Sequence, residues 1–424
     1  MILIEAILLL GFVETVILFL YAIRWYLFAS VSLRSKPVNN PGAPNSNNRS
    51  CFVSVLLPTY NEPNVVDRLL TACTSFNSPP HEVIVVDDSN DDVTTEKLEA
   101  WRRHPKVTVI HRSSRDGWKG GALNVGLDHV DPRSTHVLIF DADFVPSSDL
   151  VSRFLAKFND DGVAAVQGYQ RHDLNAEENW ITKGVRVWMS LYYMVELNGQ
   201  QRLGLFLPLT GSVFMVRTDV LRQLRFEEVM TEDWNLTMRL REHGYKILYD
   251  PSLAASAECP NTLKRLFKQQ ARWAEGHTRT FRNYVSKILK SKFLTWKEKV
   301  DFMFVGCSFL NSILVVALTV ASLITLIFPN VYRPLPIMQT GMVLLLASIP
   351  AAIFASVVAL SLEGARKDFG KIGYAWVLNY IVTFVIAYAA LKGLFTRKGC
   401  FRRTYKTGKI LGKSLDSERR HGYR

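Results

Sequence analysis

Four long apolar runs, Ala6 to Phe28, Phe302 to Phe328, Ile337 to Leu362 and Tyr374 to Phe395, flank a central stretch with the pattern of a soluble domain. Each run is long enough to cross about 30 Å of hydrocarbon as a helix, which predicts four membrane segments. In the centre, shorter apolar runs alternate with helically spaced ones. Phe52 to Leu57, Val83 to Val86, Val107 to Ile110, Val137 to Phe140 and Val163 to Gln167 read as strands, and Val65 to Ser75 and Gly121 to His129 as helices. That alternation predicts a mainly parallel, doubly wound α/β sheet.

The strands end in polar clusters. Phe52 to Leu57 runs into Pro58-Thr59-Tyr60-Asn61-Glu62, Val83 to Val86 into Asp87-Asp88, and Val137 to Phe140 into Asp141-Ala142-Asp143. Open α/β sheets bind ligands at the carboxyl ends of their strands. At period two, Asp141 and Asp143 are expected to point the same way. Two hard oxygen donors on one side suit Mg²⁺ or Mn²⁺, with substrate phosphates completing the shell. No Gly-x-Gly-x-x-Gly follows the first strand, which disfavours a dinucleotide fold. Lys119-Gly120-Gly121 ahead of a helix has the composition of a phosphate contact. Phe206 to Val216, apolar apart from Thr210, Gly211 and Ser212, reads as a strand and turn beside a ligand.

Two further groups follow. Thr231-Glu232-Asp233 opens a helical run, where acids in the first turn also serve as caps. Gln269-Gln270-Ala271-Arg272-Trp273 lies in a predicted helix from Thr262 to Thr280. Leu263, Leu266, Phe267, Gln270 and Ala274 form one side of it, and Lys264, Arg265, Lys268 and Arg272 a basic side. Such a helix fits the cytosolic surface of a membrane. A second basic, aromatic stretch, Phe281 to Trp296, leads to the next apolar run.

Composition adds orientation. Glu5 precedes the first run, Glu14 lies inside it, and Arg24, Arg34 and Lys36 follow, so it reads as an uncleaved anchor with the central domain in the cytosol. Glu14 reads as a carboxyl packed against another helix, or as part of a transport path. Five cysteines without CxxC spacing exclude a disulfide framework and a zinc site. The net charge of +13 comes largely from the tail after Phe395, which is expected to meet anionic lipid headgroups and not nucleic acid. Three crossings after a cytosolic domain would carry that tail outside. Either one of the last three segments is re-entrant, or the tail breaks the positive-inside rule.

Asp88, Asp141-Ala142-Asp143, Thr231-Glu232-Asp233 and Gln269-Gln270-Ala271-Arg272-Trp273, in this order, resemble the D, DxD, TED and QxxRW pattern of the processive membrane glycosyltransferases of family 2. That group contains cellulose, chitin, hyaluronan and plant mannan synthases. The resemblance covers roughly Val53 to Asn283. It implies a GT-A nucleotide-diphosphosugar transferase fold inserted between transmembrane helices, a divalent metal, and a UDP-sugar donor more often than a GDP-sugar. By that resemblance Tyr60 and Glu62 border the base, Asp88 holds base or ribose, Lys119 reaches the diphosphate, Asp141 binds the nucleotide and Asp143 the metal. Asp233 is the expected catalytic base. Thr231, Glu232, Gln269, Gln270, Arg272 and Trp273 are expected around the diphosphate and acceptor sugar. Gln167 to Asn175 resembles the acceptor-side segment, and Thr210-Gly211-Ser212 the FxGT segment, though Leu209 stands where the family usually has Gly or Cys.

The expected organisation is an anchor at 1–34, a linker at 35–50, a catalytic domain at 51–261, membrane-interface helices at 262–300, three membrane segments at 301–396 and a basic tail at 397–424. The expected function is transfer of a hexose to a growing β-linked polysaccharide at the plasma membrane, with the chain fed through the protein's own spans. The alternative is transfer of one sugar to a membrane lipid. A third reading, a non-catalytic scaffold or transporter, has no need of Asp143 and Asp233.

Overall fold

A computed structural model describes residues 2–34, 51–77, 80–327, 336–397, 399 and 405–411; the 35–50 linker lies outside them. The chain begins with helix α1 (Ile2–Leu33). Then come β1 (Phe52–Thr59), α2 (Val66–Thr74), β2 (His81–Asp87), α3 (Asp92–Trp101), β3 (Val107–His111), α4 (Trp118–Asp128), β4 (Ser134–Ile139) and β5 (Val145–Pro146). The second half of the domain holds α5 (Leu150–Leu155), β6 (Val163–Arg171), α6 (Trp180–Leu191), a π-helical turn (Tyr192–Leu197), α7 (Asn198–Leu203), β7 (Phe214–Arg217), α8 (Thr218–Leu224), α9 (Glu232–Glu242) and β8 (Lys246–Ser256). Helices α10 (Leu263–Lys290), α11 (Trp296–Cys307), α12 (Asn311–Ile327), α13 (Pro336–Leu362) and α14 (Ile372–Phe395) follow.

The eight strands form one sheet in the order β3-β2-β1-β4-β7-β6-β8-β5. The first four are parallel, β7 runs antiparallel between β4 and β6, and β6 and β8 are parallel. The sheet is therefore mixed. Its central strands are apolar without a break because both faces are covered. Val55, Leu57, Val83, Val85 and Leu138 pack under Leu69, Leu98 and Phe154, while Leu56, Ile84, Val86, Val137 and Ile139 pack with Leu123, Leu127 and Val185. The second core continues into the membrane helices through Leu378 and Val358.

Three elements depart from expectation. Helix α4 starts at Trp118, so Gly120 and Gly121 lie in its first turn. A Cβ on Gly121 would sit 2.1 Å from the Asp116 carbonyl and one on Gly120 2.5 Å from that of Glu227, so small size here permits close packing. Thr262 to Trp296 is not two amphipathic stretches: α10 is one helix of 28 residues, capped by Thr262. Asp141 and Asp143 are not on a strand, because β4 stops at Ile139 and the chain turns, with Phe144 N–H donating to the Asp141 carbonyl.

Among the described residues, Gly11–Leu33 and Arg366–Phe395 are long and apolar enough to cross a membrane, and α11 meets the first part of α12 at 51°. Helix α1 packs along α13. The 24 residues of α14 span about 36 Å, and one end rests on the catalytic domain, the other on α10. At one end Lys371 pairs with Glu177, and Gly184 abuts the Tyr374 backbone. At the other, Lys392 lies 3.0 Å from Glu275 and Arg279 donates to the Thr396 hydroxyl at 2.7 Å. Helix α14 thus runs along the domain beside α10. Its inner face, with Leu378, Val382 and Ala390, is buried; its outer face exposes Val377, Tyr380, Phe384, Tyr388 and Phe395.

Candidate active site

Parallel pairing sets Thr59 beside Asp87 and Leu56 beside Ile139, so the chain leaves β1, β2 and β4 at one edge. There a cavity of about 460 Å³ opens, lined by Tyr60, Glu62, Asp88, Lys119, Asp141 and Asp143. Helix α9 adds Thr231, Glu232 and Asp233 to its wall, and α10 adds Gln269, Gln270, Arg272 and Trp273. These thirteen residues, to which the resemblance gave a role, line this one cavity; Ser212 and Gln167 do not.

At one end of the cavity, the Arg115 guanidinium lies 3.5 Å over the Tyr60 ring. The Asp88 carboxylate is taken by Arg112, whose Nε and Nη2 donate at 2.5 and 2.6 Å in a bidentate pair. Arg112 follows β3 directly and belongs to none of the sequence motifs. A basic residue after the third strand was its only signal.

Lys119, in the first turn of α4, bridges three elements. Its ammonium lies 2.7 Å from Asp141 and 3.0 Å from Glu232, and donates to the Gly211 carbonyl at 2.6 Å. Burial opposes its charge, but Asp141 and Glu232 outweigh that and hold it protonated. Arg272 belongs to this cluster and not to a bare basic face. Burial lowers its pKa, opposed by Glu232, Asp141 and Asp233. Helix α10 is covered by the domain and by α14, and the cavity is where this guanidinium finds opposite charge.

Asp233 sits one residue into α9, where the helix dipole favours an anion. Burial and then the Glu232 charge override this and push its carboxyl up to about 7. Opposite lies Gly211 at φ +87°, where an added Cβ would come 3.2 Å from Asp233 Oδ2. Behind the 209–212 loop, Gln167 Oε1 accepts from Thr210 N–H at 2.9 Å, and Gln170 donates to the Thr210 carbonyl. Strand β6 thus buttresses this loop. Trp234 stacks on His277 at 4.3 Å, and both line the cavity beside Trp273.

Asp143 is buried and has a partner that the motifs did not reveal. Lys406 Nζ lies 2.6 Å from its Oδ2, which also accepts from Glu258 N–H at 3.2 Å. Burial would raise the Asp143 carboxyl, but the Lys406 ammonium wins and holds it below its usual range. Around Lys406, Thr407 and Gly408 donate to Glu258, and Leu411 N–H to the Leu174 carbonyl. The described part of the tail therefore lies on the catalytic domain, not on a lipid surface.

Residues 50–276 match the family described as "Glycosyltransferase like family 2". Glucomannan 4-beta-mannosyltransferase 7 of Arabidopsis thaliana is 28% identical over 300 residues, covering 67% of this chain and 53% of the relative. Glucomannan 4-beta-mannosyltransferase 1 of Oryza sativa subsp. japonica is 30% identical over 261 residues, 58% and 49% of the two chains. The chain thus spans about half the length of these curated relatives. In three dimensions it is similar to a mannosyltransferase from Pyrobaculum calidifontis solved in complex with GDP-Man and Mn²⁺. The TM-score is 0.54 and the identity 20%, over 89% of this chain and 97% of the other. The fold is thus GT-A-like, a mixed sheet with helices on both faces. With the family match covering more than half of the chain, the protein belongs to glycosyltransferase family 2.

Proposed function

We propose that this transferase moves a hexose from a nucleotide diphosphate sugar to a hydroxyl of a β-linked glycan, with inversion at the anomeric carbon. The observation that carries this is Asp233: a half-buried carboxyl whose pKa is raised to about 7, sharing one cavity with Lys119, Arg272 and Trp273. A carboxylate of that basicity takes the proton of the attacking hydroxyl. Lys119 and Arg272 meet the charge that develops on the leaving diphosphate. Trp273 offers a flat apolar face to the acceptor pyranose. The relatives' names denote mannosyl transfer to glucomannan, so GDP-mannose stands beside the UDP-hexoses as a donor.

A divalent metal fits Asp143. Its carboxylate already holds a cation, the Lys406 ammonium, and Asp141 lies across the same turn. Among the described residues no group of three His, Cys, Asp or Glu side chains is placed to hold a metal ion. Asp143, with Asp141 beside it, would therefore hold Mg²⁺ or Mn²⁺ largely through donor phosphates and water. When bound, the ion neutralises charge on the leaving diphosphate.

We further read the catalytic domain, 51–261, as cytosolic, with 262–300 at the membrane interface and the expected site at the plasma membrane. Although α14 is long enough to cross, we read it as the one of the last three segments that does not, lying in the interface with Tyr380, Phe384 and Tyr388 toward lipid. Three crossings by α1, α12 and α13 then leave the basic tail beside the domain, as the positive-inside rule requires.

The test is to incubate the full-length protein in lipid with Mn²⁺ or Mg²⁺ and labelled GDP-mannose, UDP-glucose or UDP-N-acetylglucosamine, and to size the product. A long glycan cleaved by a β-glycanase is expected. A solvent-extractable product carrying one sugar would instead assign the enzyme a lipid acceptor.

A further inference from the structure

Helix α10 ends at Lys290 and α11 begins at Trp296, and the turn between them carries two apolar sets. Ile288 and Leu294 are buried in a cluster with Phe281, Trp234 and Phe302, which pins the turn to the protein. Thr295 and Glu298 form a reciprocal cap that fixes the direction of α11. The second set, Leu289, Phe293, Trp296 and Val300, is exposed, Phe293 by 54% and Trp296 by 70%. Single exposed apolar residues are ordinary, but four this close in the chain, two of them aromatic, mark an interaction surface. Lysines are threaded through it. Lys292 Nζ lies 5.5 Å from the Phe293 ring centre and Lys297 Nζ 5.9 Å from that of Trp296, with Lys287 and Lys290 on the last turn of α10. Nearby carboxylates are committed: Glu242 lies 3.6 Å from Lys287, and Glu298 is held by Arg241. The patch is therefore both apolar and positive.

We propose that the turn between α10 and α11 is a binding site for anionic phospholipid. Leu289, Phe293, Trp296 and Val300 meet the upper acyl carbons, and Lys290, Lys292 and Lys297 the charged headgroups. The inference rests on the membrane-interface placement of 262–300 above and is independent of the sugar acceptor. Depth and charge select the occupant. Arg24 of α1 lies 3.0 Å from Asp301, and Tyr21 donates to the Phe304 carbonyl at 2.7 Å, so α11 runs antiparallel to α1. Trp296 precedes Asp301 by about 7.5 Å of helix, which sets it level with the end of the apolar run Ala6 to Phe28. That level is the headgroup layer on the side of the domain, where Trp and snorkelling Lys are favoured. Lysines there are drawn to anionic lipid over zwitterionic lipid, whose headgroup carries its own cation. Helix α10 is continuous from Arg272 and Trp273 to Lys290, so bound lipid steadies the far end of the helix that lines the cavity.

The full-length protein is placed in phosphatidylcholine nanodiscs with a trace of phosphatidylserine or phosphatidylcholine bearing a dansyl group on its acyl chain. Energy transfer from Trp296, taken as the wild-type signal minus that of Trp296→Phe, reads the lipid around the turn. Transfer to the labelled phosphatidylserine is expected to exceed transfer to the labelled phosphatidylcholine by about fivefold or more. The preference falls to parity at high salt and in the triple variant Lys290→Gln, Lys292→Gln, Lys297→Gln, all exposed positions that leave the fold intact. Equal transfer to the two lipids in the wild type, or a preference that the triple variant keeps, would overturn the anionic site and leave the interface placement standing. No transfer from Trp296 to either lipid would remove the placement and the site together. Loss of the phosphatidylserine preference on adding poly-glutamate at constant salt would overturn the lipid assignment in favour of an acidic protein partner.

Discussion

Lys406 Nζ lies 2.6 Å from Asp143 Oδ2, so the carboxylate suited to a divalent metal is held by an ammonium 263 residues away in the chain. The two cations compete for one oxygen. Lys406→Ala should therefore tighten Mn²⁺ binding in the absence of donor by about tenfold, roughly 1.4 kcal/mol, as read by titration calorimetry. Unchanged affinity would put the metal elsewhere.

Asp233→Asn should lower kcat by about 10²-fold or more while leaving nucleotide binding in place. In the wild type, the base must be ionised, and its folded pKa is raised to about 7. Activity should accordingly fall as pH drops through about 7, not through the ordinary range near 4. Stability runs the other way. A pKa raised by folding means that the stabilising state is the protonated one, fully present below the unfolded pKa and lost as pH rises through the folded value. Asp233→Asn should consequently raise the Tm at pH 8 and leave it nearly unchanged at pH 4, a comparison open to differential scanning fluorimetry.

Gly211→Ala tests close approach. The new methyl meets Asp233 Oδ2 at 3.2 Å from a backbone at φ +87°, so a loss of about tenfold or more in kcat is expected. Gly204→Ala is the control: its φ of +63° imposes similar backbone strain with nothing within 4 Å, and its kcat should stay near wild type. Equal kcat in the two variants would remove Gly211 from the reaction.

Arg112→Ala strands the buried Asp88 carboxylate. Breaking such a pair costs about 3 kcal/mol, and donor KM should rise with it. Arg112→Ala combined with Asp88→Asn should recover stability but not donor affinity, as thermal unfolding and initial rates would show.

What was legible from the sequence follows from local physics. Val55-Leu56-Leu57 and Val83 to Val86 read as strands because both faces of a central strand are buried. Asp141 and Asp143 were legible as a pair of carboxylates at the end of a buried strand, but not as a turn, because the residues alone do not show that β4 stops at Ile139. Thr231-Glu232-Asp233 was placed in a first helical turn because acids cap such turns, and α9 does begin at Glu232.

The rest depended on contacts distant in sequence. The apolar content of α14 matches that of a spanning helix. Its contacts with the rest of the chain, Lys371 with Glu177, Lys392 with Glu275 and Arg279 with Thr396, appear only in the folded structure. Lys406 was one cation in a basic tail, and no periodicity distinguishes a lysine bound to lipid from one that reaches a buried Asp143. Arg24 likewise read as an orientation signal at the end of a span, and became a cavity wall only when α6 and α11 closed around it. The sequence by itself determined the first four strands of the sheet, the polar clusters at their ends and the positions of the motifs, because burial pattern and residue chemistry act over a few positions. Which charge meets which, and on which side of the molecule, was decided by tertiary structure, because electrostatic partners are chosen by proximity after folding.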